Sequence, residues 1–322
     1  MDITSQDWLD TIRREYLHDF IKRGGAAVKF VVPMEDIDHN QLLSLLRKTA
    51  EEENYLFTSV NAVSTKIHMI DRLFHEVARQ IDWDELSHEF VKTIFTQNGY
   101  TLPIRREDFN IQHIAATNNI EEILLRKEVQ TWLGKGIFRD YEMSQEFRIA
   151  MIRLCLDQLD TAGPTAFLSN AVKEWLRGEL RLISTLKEAL IFQKIARHNA
   201  RHMLFSLSHW LRINGKSGLI LAIDITRYLV STRSKNSDDG FFYSLPALLD
   251  AYEVLRQFID GTDEMEGCLI VVLASKEFLD PYDRRGLNRY DALKLRITDE
   301  VRDKRRQNPL ASLVRLGSNK AD

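Results

Sequence analysis

Two apolar runs in this sequence end in groups that could do chemistry. Leu219-Ile220-Leu221-Ala222-Ile223 stops at Asp224, and Cys268-Leu269-Ile270-Val271-Val272-Leu273-Ala274 stops at Ser275 and Lys276. A carboxylate at a strand end can hold Mg²⁺, a hard cation that takes oxygen ligands. That arrangement needs a third part, a loop G-x-x-x-x-G-K-[ST] after an earlier strand, whose amides and lysine cradle phosphates. The earlier strand is present as Ala26-Ala27-Val28-Lys29-Phe30-Val31-Val32, but Pro33-Met34-Glu35-Asp36-Ile37-Asp38-His39-Asn40 follows it. No glycine there lets the backbone wrap a phosphate, and no lysine meets its charge. Glu35, Asp36 and Asp38 would instead face the roughly four charges of a triphosphate. Each such pair repels by about 4 kcal/mol at about 4 Å and an effective dielectric of roughly 20. Binding of ATP and Mg²⁺ is therefore not expected, and neither is any other cofactor. Asp224 shows the same erosion, because Ile225 and Thr226 follow it where a catalytic glutamate would stand. The plainer reading is that Asp224 caps a turn at a strand end.

Other matches are too short to carry chemistry. Gly215-Lys216-Ser217 ends like a phosphate loop, but Trp210 stands where its first glycine belongs and a strand follows, so it reads as a turn. His198 and His202 are spaced i, i+4, yet Asn199 replaces the glutamate of H-E-x-x-H and no third ligand is evident. Ser184-Thr185-Leu186-Lys187 matches S-x-x-K without partner motifs, and Gly134-Lys135-Gly136 lacks the third glycine of a dinucleotide turn. No metal site and no nucleophile–base–acid set stands out. The positive signal is charge. From Arg284 to Arg306 there are nine Lys or Arg against four acids, a local net of +5. Arg284, Arg285, Arg302, Lys304, Arg305 and Arg306 could contact a phosphate backbone or an acidic protein. The plain alternative is a solvated helix laced by i,i+4 pairs.

The elements that must position these residues follow from periodicity. Ser5 can cap a helix over about 6–22, ended by Gly24-Gly25, and Asp38 one that ends near Glu53. Between and after them lie strands at 26–32 and 55–60, the opening of an α/β sheet. From 64 to 212 the pattern is helical, with faces at 67–77, 90–95, 120–133 and 147–159, a helix opening at Pro164, and two more at 182–197 and 201–212. The sheet resumes with the two runs ending at Asp224 and Ala274, whose unalternating apolar character suits parallel strands covered on both faces. A helix over 245–259, a basic helix over about 288–306 and an edge strand at 310–316 complete the chain. It thus divides into 1–63, a helical insertion at 64–212, and 213–322. The composition agrees with this helix-rich plan. Only 6 Pro and 14 Gly occur in 322 residues, and 44% of residues are hydrophobic, ordinary for a globular chain. With 44 Lys and Arg against 47 Asp and Glu, a net of −3, the whole chain is not a polybasic nucleic-acid binder. No apolar run approaches the roughly 20 residues of a membrane helix. The start carries no secretory signal, and the two cysteines, Cys155 and Cys268, read as buried thiols, so a cytoplasmic protein is expected.

Longer blocks carry a resemblance. Phe20-Ile21-Lys22-Arg23-Gly24-Gly25 with the strand after it, Glu174-Trp175-Leu176-Arg177-Gly178-Glu179, Leu207-Ser208-His209-Trp210-Leu211-Arg212 leading to the 218–224 run, and Arg285-Gly286-Leu287-Asn288-Arg289-Tyr290-Asp291-Ala292-Leu293 resemble BREX-type ATP-binding proteins. These are the BrxD-like group of AAA+ ATPases in prokaryotic phage defence. The resemblance implies an α/β P-loop NTPase-like fold of the AAA+ (ASCE) kind, a mostly parallel sheet with a large helical insertion. It puts Pro33 and Asp38 at the loop glycines, His39 at the lysine and Asn40 at the Ser/Thr. Asp224 falls at the Walker B carboxylate, Ile225 at the catalytic glutamate, Ser275 at the sensor, and Arg289 at an arginine finger reaching a neighbouring subunit. A fold kept while its nucleotide chemistry is lost implies a pseudo-ATPase subunit of an anti-phage defence or DNA-processing complex. Such a subunit would pair with an active ATPase, helicase or nuclease, as a hetero- or homo-oligomer. The alternatives are a divergent active ATPase and a DNA-binding module using 284–306.

Overall fold

The computed structural model of the chain describes residues 3–34, 38–160, 164–233, 240–298 and 308–317. It divides into two compact units, Met1–Val77 with Leu211–Asp322, and Ala78–Trp210. The first unit holds one sheet of five parallel strands: β1 (Ala26–Pro33), β2 (Tyr55–Asn61), β3 (Gly218–Asp224), β4 (Cys268–Leu273) and β5 (Leu313–Leu316), in the spatial order β2-β3-β4-β1-β5. The chain leaves β1, passes over β4 and β3 to reach β2, and later leaves β4 and passes over β1 to reach β5. These opposed crossovers open a crevice at the carboxyl edge of the sheet, where ligands of such sheets bind. Pro33, Asp224 and the residues after Leu273 all emerge there.

Both faces of the sheet are covered, which is why β3 and β4 are buried at every residue. On one face, α1 (Ser5–Ile12) and α2 (His39–Glu52) set Trp8, Leu9, Ile12, Leu42 and Leu46 against Val31, Ile220, Leu269 and Val271. Each such side chain contributes about 1.5–3 kcal/mol through removal from water. On the other face Phe30 stacks on Phe278 at 6.0 Å, and Phe278 meets Tyr252 of the long helix over Leu245–Asp260 at 5.8 Å. The buried Lys29 donates from Nζ to Tyr16 Oη at 2.7 Å and to the carbonyl of Leu310, tying the approach of β5 to β1.

The helices between the two halves of the sheet are α3 (Ile70–Arg79), α4 (Trp83–Gln97), α5 (Ile111–Thr117), α6 (Glu122–Leu133), α7 (Gln145–Asp157), α8 (Pro164–Arg177) and α9 (Ala200–Ile213). The second unit is all-helical, and its core joins Phe90 to Trp210 at 4.5 Å and Phe95 to Trp132 at 5.4 Å. After β3 come α10 (Leu245–Asp260) and α11 (Asp291–Ile297).

Three expectations are corrected. Thr4, not Ser5, caps α1: its Oγ1 accepts from Asp7 N at 3.0 Å and donates to the Asp7 carboxylate at 2.6 Å, which leaves Ser5 as the first helical residue. No α-helix runs over 182–197. A short 3₁₀ helix, Ile183–Ala189, stops at Leu190, whose left-handed backbone (φ 62°, ψ 29°) cannot continue it. The basic helix begins at Asp291 rather than 288, because residues 287–289 form a separate 3₁₀ turn, and α11 ends at Ile297. The remainder of that expected helix, 299–306, lies outside the described residues.

Candidate functional site

Asp224 stands at the carboxyl edge of the sheet, at the end of β3. It lies opposite Asn61 of β2 and Leu273 of β4, and the residue is only 7% exposed. Its Oδ1 accepts from the backbone N–H of Thr226 at 2.9 Å and from the Thr226 hydroxyl at 2.6 Å. This is an Asx turn, in which a carboxylate bonds its own backbone two residues on. Oδ2 accepts from Asn61 Nδ2 at 3.3 Å, and His39 Nδ1 stands 3.9 Å away, an ion-pair separation rather than a hydrogen bond. Burial pushes this carboxyl upward, but His39 and the two Thr226 donors outweigh it, holding the group below the usual carboxylate value.

The segment after β1 is equally committed. Pro33 is buried and has no N–H to offer. The next amide, Met34 N, donates to Leu316 O of β5 at 2.8 Å. Asp38 takes extended backbone (φ −75°, ψ 122°) and caps α2, its carboxylate accepting from Asn40 N at 2.9 Å. The helix N-terminus that could receive a phosphate is thus capped by the chain's own anion. His39 opens the helix, half-buried, and Asn40 is exposed. Glu35, Asp36 and Ile37 lie outside the described residues.

The other expected residues separate. Ile225 is buried, and its amide bonds Leu273 O at 2.9 Å. Ser275 leaves β4 half-buried, and its carbonyl accepts from Phe278 N at 3.0 Å to open a 3₁₀ turn. Arg289 is exposed and donates to the Arg284 carbonyl at 3.1 Å; Arg284 is exposed as well. Arg285 does not belong on that surface. It is buried, with Nε donating to Tyr228 O at 2.7 Å and a terminal nitrogen to Tyr243 O. Arg302, Lys304, Arg305 and Arg306 lie outside the described residues.

Two partners of Asp224 escape a sequence reading. Thr226 had a signal, the D-x-T spacing of an Asx turn. Asn61 had none, since only the β2–β3 register brings it across.

Against a magnesium–triphosphate this set is a poor match. Mg²⁺ demands near-octahedral oxygen donors and takes one or two carboxylates besides the phosphates. Here Oδ1 already accepts two bonds and Oδ2 faces Asn61 and His39. Lys29, the nearest lysine in sequence, is turned to Tyr16 and Leu310.

A parallel sheet in this order, with the loop strand beside β4 and a carboxylate closing the strand on the far side of β4, defines an α/β protein of the P-loop NTPase-like class. The family described as BREX system ATP-binding protein BrxC/D matches residues 17–322, and the chain belongs to that family. It is accordingly a component of the BREX defence system. No curated protein and no solved structure matches it. Among the described residues no helix is long and apolar enough to cross a membrane.

Proposed function

We propose that this chain is a non-catalytic, AAA+-shaped subunit of its defence complex. It scaffolds or regulates an active partner such as an ATPase, helicase or nuclease, without hydrolysing ATP itself. The observation that carries this reading is the state of Asp224, whose oxygens are engaged by Thr226 and Asn61 with His39 alongside. The capped start of α2 and the buried Ile225 support it. In this reading the fold serves as a shape for assembly, and the exposed Arg289 reaches the nucleotide of a neighbouring subunit. Isothermal titration with ATP and Mg²⁺ tests it: no saturable binding is expected at concentrations below about 1 mM, the equivalent of about −4 kcal/mol. Micromolar binding with turnover would overturn it. The paired substitution Asp38→Gly and His39→Lys, which restores a flexible turn and a cation, is expected to bring measurable nucleotide binding. A divergent active ATPase would gain nothing from it.

The exposed Arg284 and Arg289 support a second reading, in which the basic segment of the chain lies on DNA. Fluorescence anisotropy with duplex DNA over a salt series separates the two. A phosphate footprint gives a steep slope, flattened by charge reversal at Arg302, Arg305 and Arg306.

A further inference from the structure

In the helical unit, the stretch 181–197 is closed upon itself. The side chain of Lys194 donates to Arg181 O at 3.1 Å, and Ile191 N bonds Leu186 O at 3.2 Å. Trp175 Nε1 holds the far strand of the loop through Gln193 O at 3.0 Å. The outer surface of this loop is unusual in two independent ways.

It is apolar where it is most exposed: Leu182 is 68% exposed, Leu190 58% and Phe192 65%, while Leu186, Ala189 and Ile191 between them are fully buried. Leu190 also holds a left-handed backbone, φ 62°, a conformation that costs a side-chain-bearing residue about 1–2 kcal/mol and that glycine takes freely. Neither its exposure nor its backbone favours the isolated molecule. The surface is also cationic. Arg181, Lys187, Lys194 and Arg197 stand against one carboxylate, Glu188, and none of the four forms an ion pair with a described residue.

We propose that this loop is a docking surface for an acidic amphipathic segment of a partner protein. A nucleic acid would use the four cations and at most one ring, Phe192, as a stacking platform, and would leave both leucines in water. An anionic bilayer would press a continuous negative sheet against Glu188 and against Glu146, which accepts from Gln193 at the loop's edge. A peptide carrying a leucine-rich stripe between glutamates buries all three apolar side chains, pairs with the cations, and avoids those carboxylates. This surface lies in the helical unit and does not depend on whether nucleotide binds at the sheet edge.

Anisotropy of a fluorescein-labelled peptide with Leu at i, i+3, i+4 and i+7 and Glu elsewhere, titrated with the full chain, tests it. The striped peptide is expected to bind at least about tenfold tighter than the same composition scrambled. The pair Lys187→Glu and Arg197→Glu, and separately Leu190→Gly with Phe192→Ser, should each weaken it by about tenfold. Leu190→Gly with Phe192→Ser should leave the melting temperature equal or higher, because both side chains are exposed and glycine relieves the left-handed strain. A weaker binder that is no less stable cannot be blamed on misfolding. Equal binding of striped and scrambled peptides overturns the proposal. So does a dT oligonucleotide or a phosphatidylglycerol vesicle that binds tighter than the striped peptide with the same dependence on Lys187 and Arg197, and so do variants that leave binding unchanged.

Discussion

Arg285 is a buried cation that forms no ion pair with a described residue. Its guanidinium donates to the carbonyls of Tyr228 and Tyr243 and lies 5.7 Å from the Phe242 ring, while its own carbonyl accepts from Tyr252 Oη at 2.6 Å. Burial lowers its pKa from the ordinary arginine value. The residues it joins belong to the segment after β3, to the stretch just before α10 and to α10 itself, so one residue fixes several segments at once. Arg285→Ala should cost about 2–4 kcal/mol in urea denaturation, because two buried carbonyls lose their donor. Arg285→Lys should not restore it, since an ammonium lacks the planar fork. Asp224 yields a pH prediction. Its folded pKa is depressed, so its charge stabilises the fold above the ordinary carboxylate value near 3.8 and that stability is lost as pH falls through the lower folded value. Asp224→Asn should therefore be destabilising at pH 7, and the gap to the parent chain should close in strong acid. A gap that stays constant with pH would mean the carboxylate's charge is irrelevant.

Among the elements, β3 meets the residue before β4 at close range where the two strands begin. A Cβ on Gly218, whose φ is 144°, would stand 1.9 Å from the carbonyl oxygen of Gly267, and Gly267 has a φ of 64°. Gly218→Ala should destabilise by at least about 2 kcal/mol, measured by chemical denaturation, since neither backbone can yield without breaking the ladder. A second device joins α10 to α11. Arg256 holds the Glu253 carboxyl down to about 2, against the opposing effect of burial, with help from Tyr290 and Gln257, while Arg296 bonds Asp260. The Glu253 contribution is present above its ordinary value of 4.5 and fades as pH falls toward about 2. Because the cluster is half-buried and open to solvent on one side, Glu253→Gln should cost about 1 kcal/mol at pH 7, and less in high salt. The strands were legible in the sequence because burial on both faces writes them as unbroken apolar runs. The 182–197 stretch has a helical pattern but forms only a short 3₁₀ helix, because Leu190 takes a left-handed backbone and leucine gives no local sign of that. The sheet-edge site was half legible: the missing glycine and lysine could be read from residues in a row, but Asn61 reaches Asp224 only through a pairing across 163 positions.

For the whole molecule, the strand order predicts where the fold is hardest to open. β3 and β4 have strands on both sides and no exposed residue, whereas β5 has four residues at an edge. Amide hydrogen exchange should be slowest in β3 and β4 and clearly faster in β5, and equal protection of β5 would contradict this picture. The same order has a bearing on how the protein is made. The whole helical unit is translated between β1 and both its neighbours, β4 and β5. At roughly 5–20 residues per second, an apolar ribbon waits on the ribosome for about ten to fifty seconds before anything can zip to it. In that interval its bare edges invite aggregation, so nascent chains of this protein should lean on cellular chaperones far more than the finished molecule does.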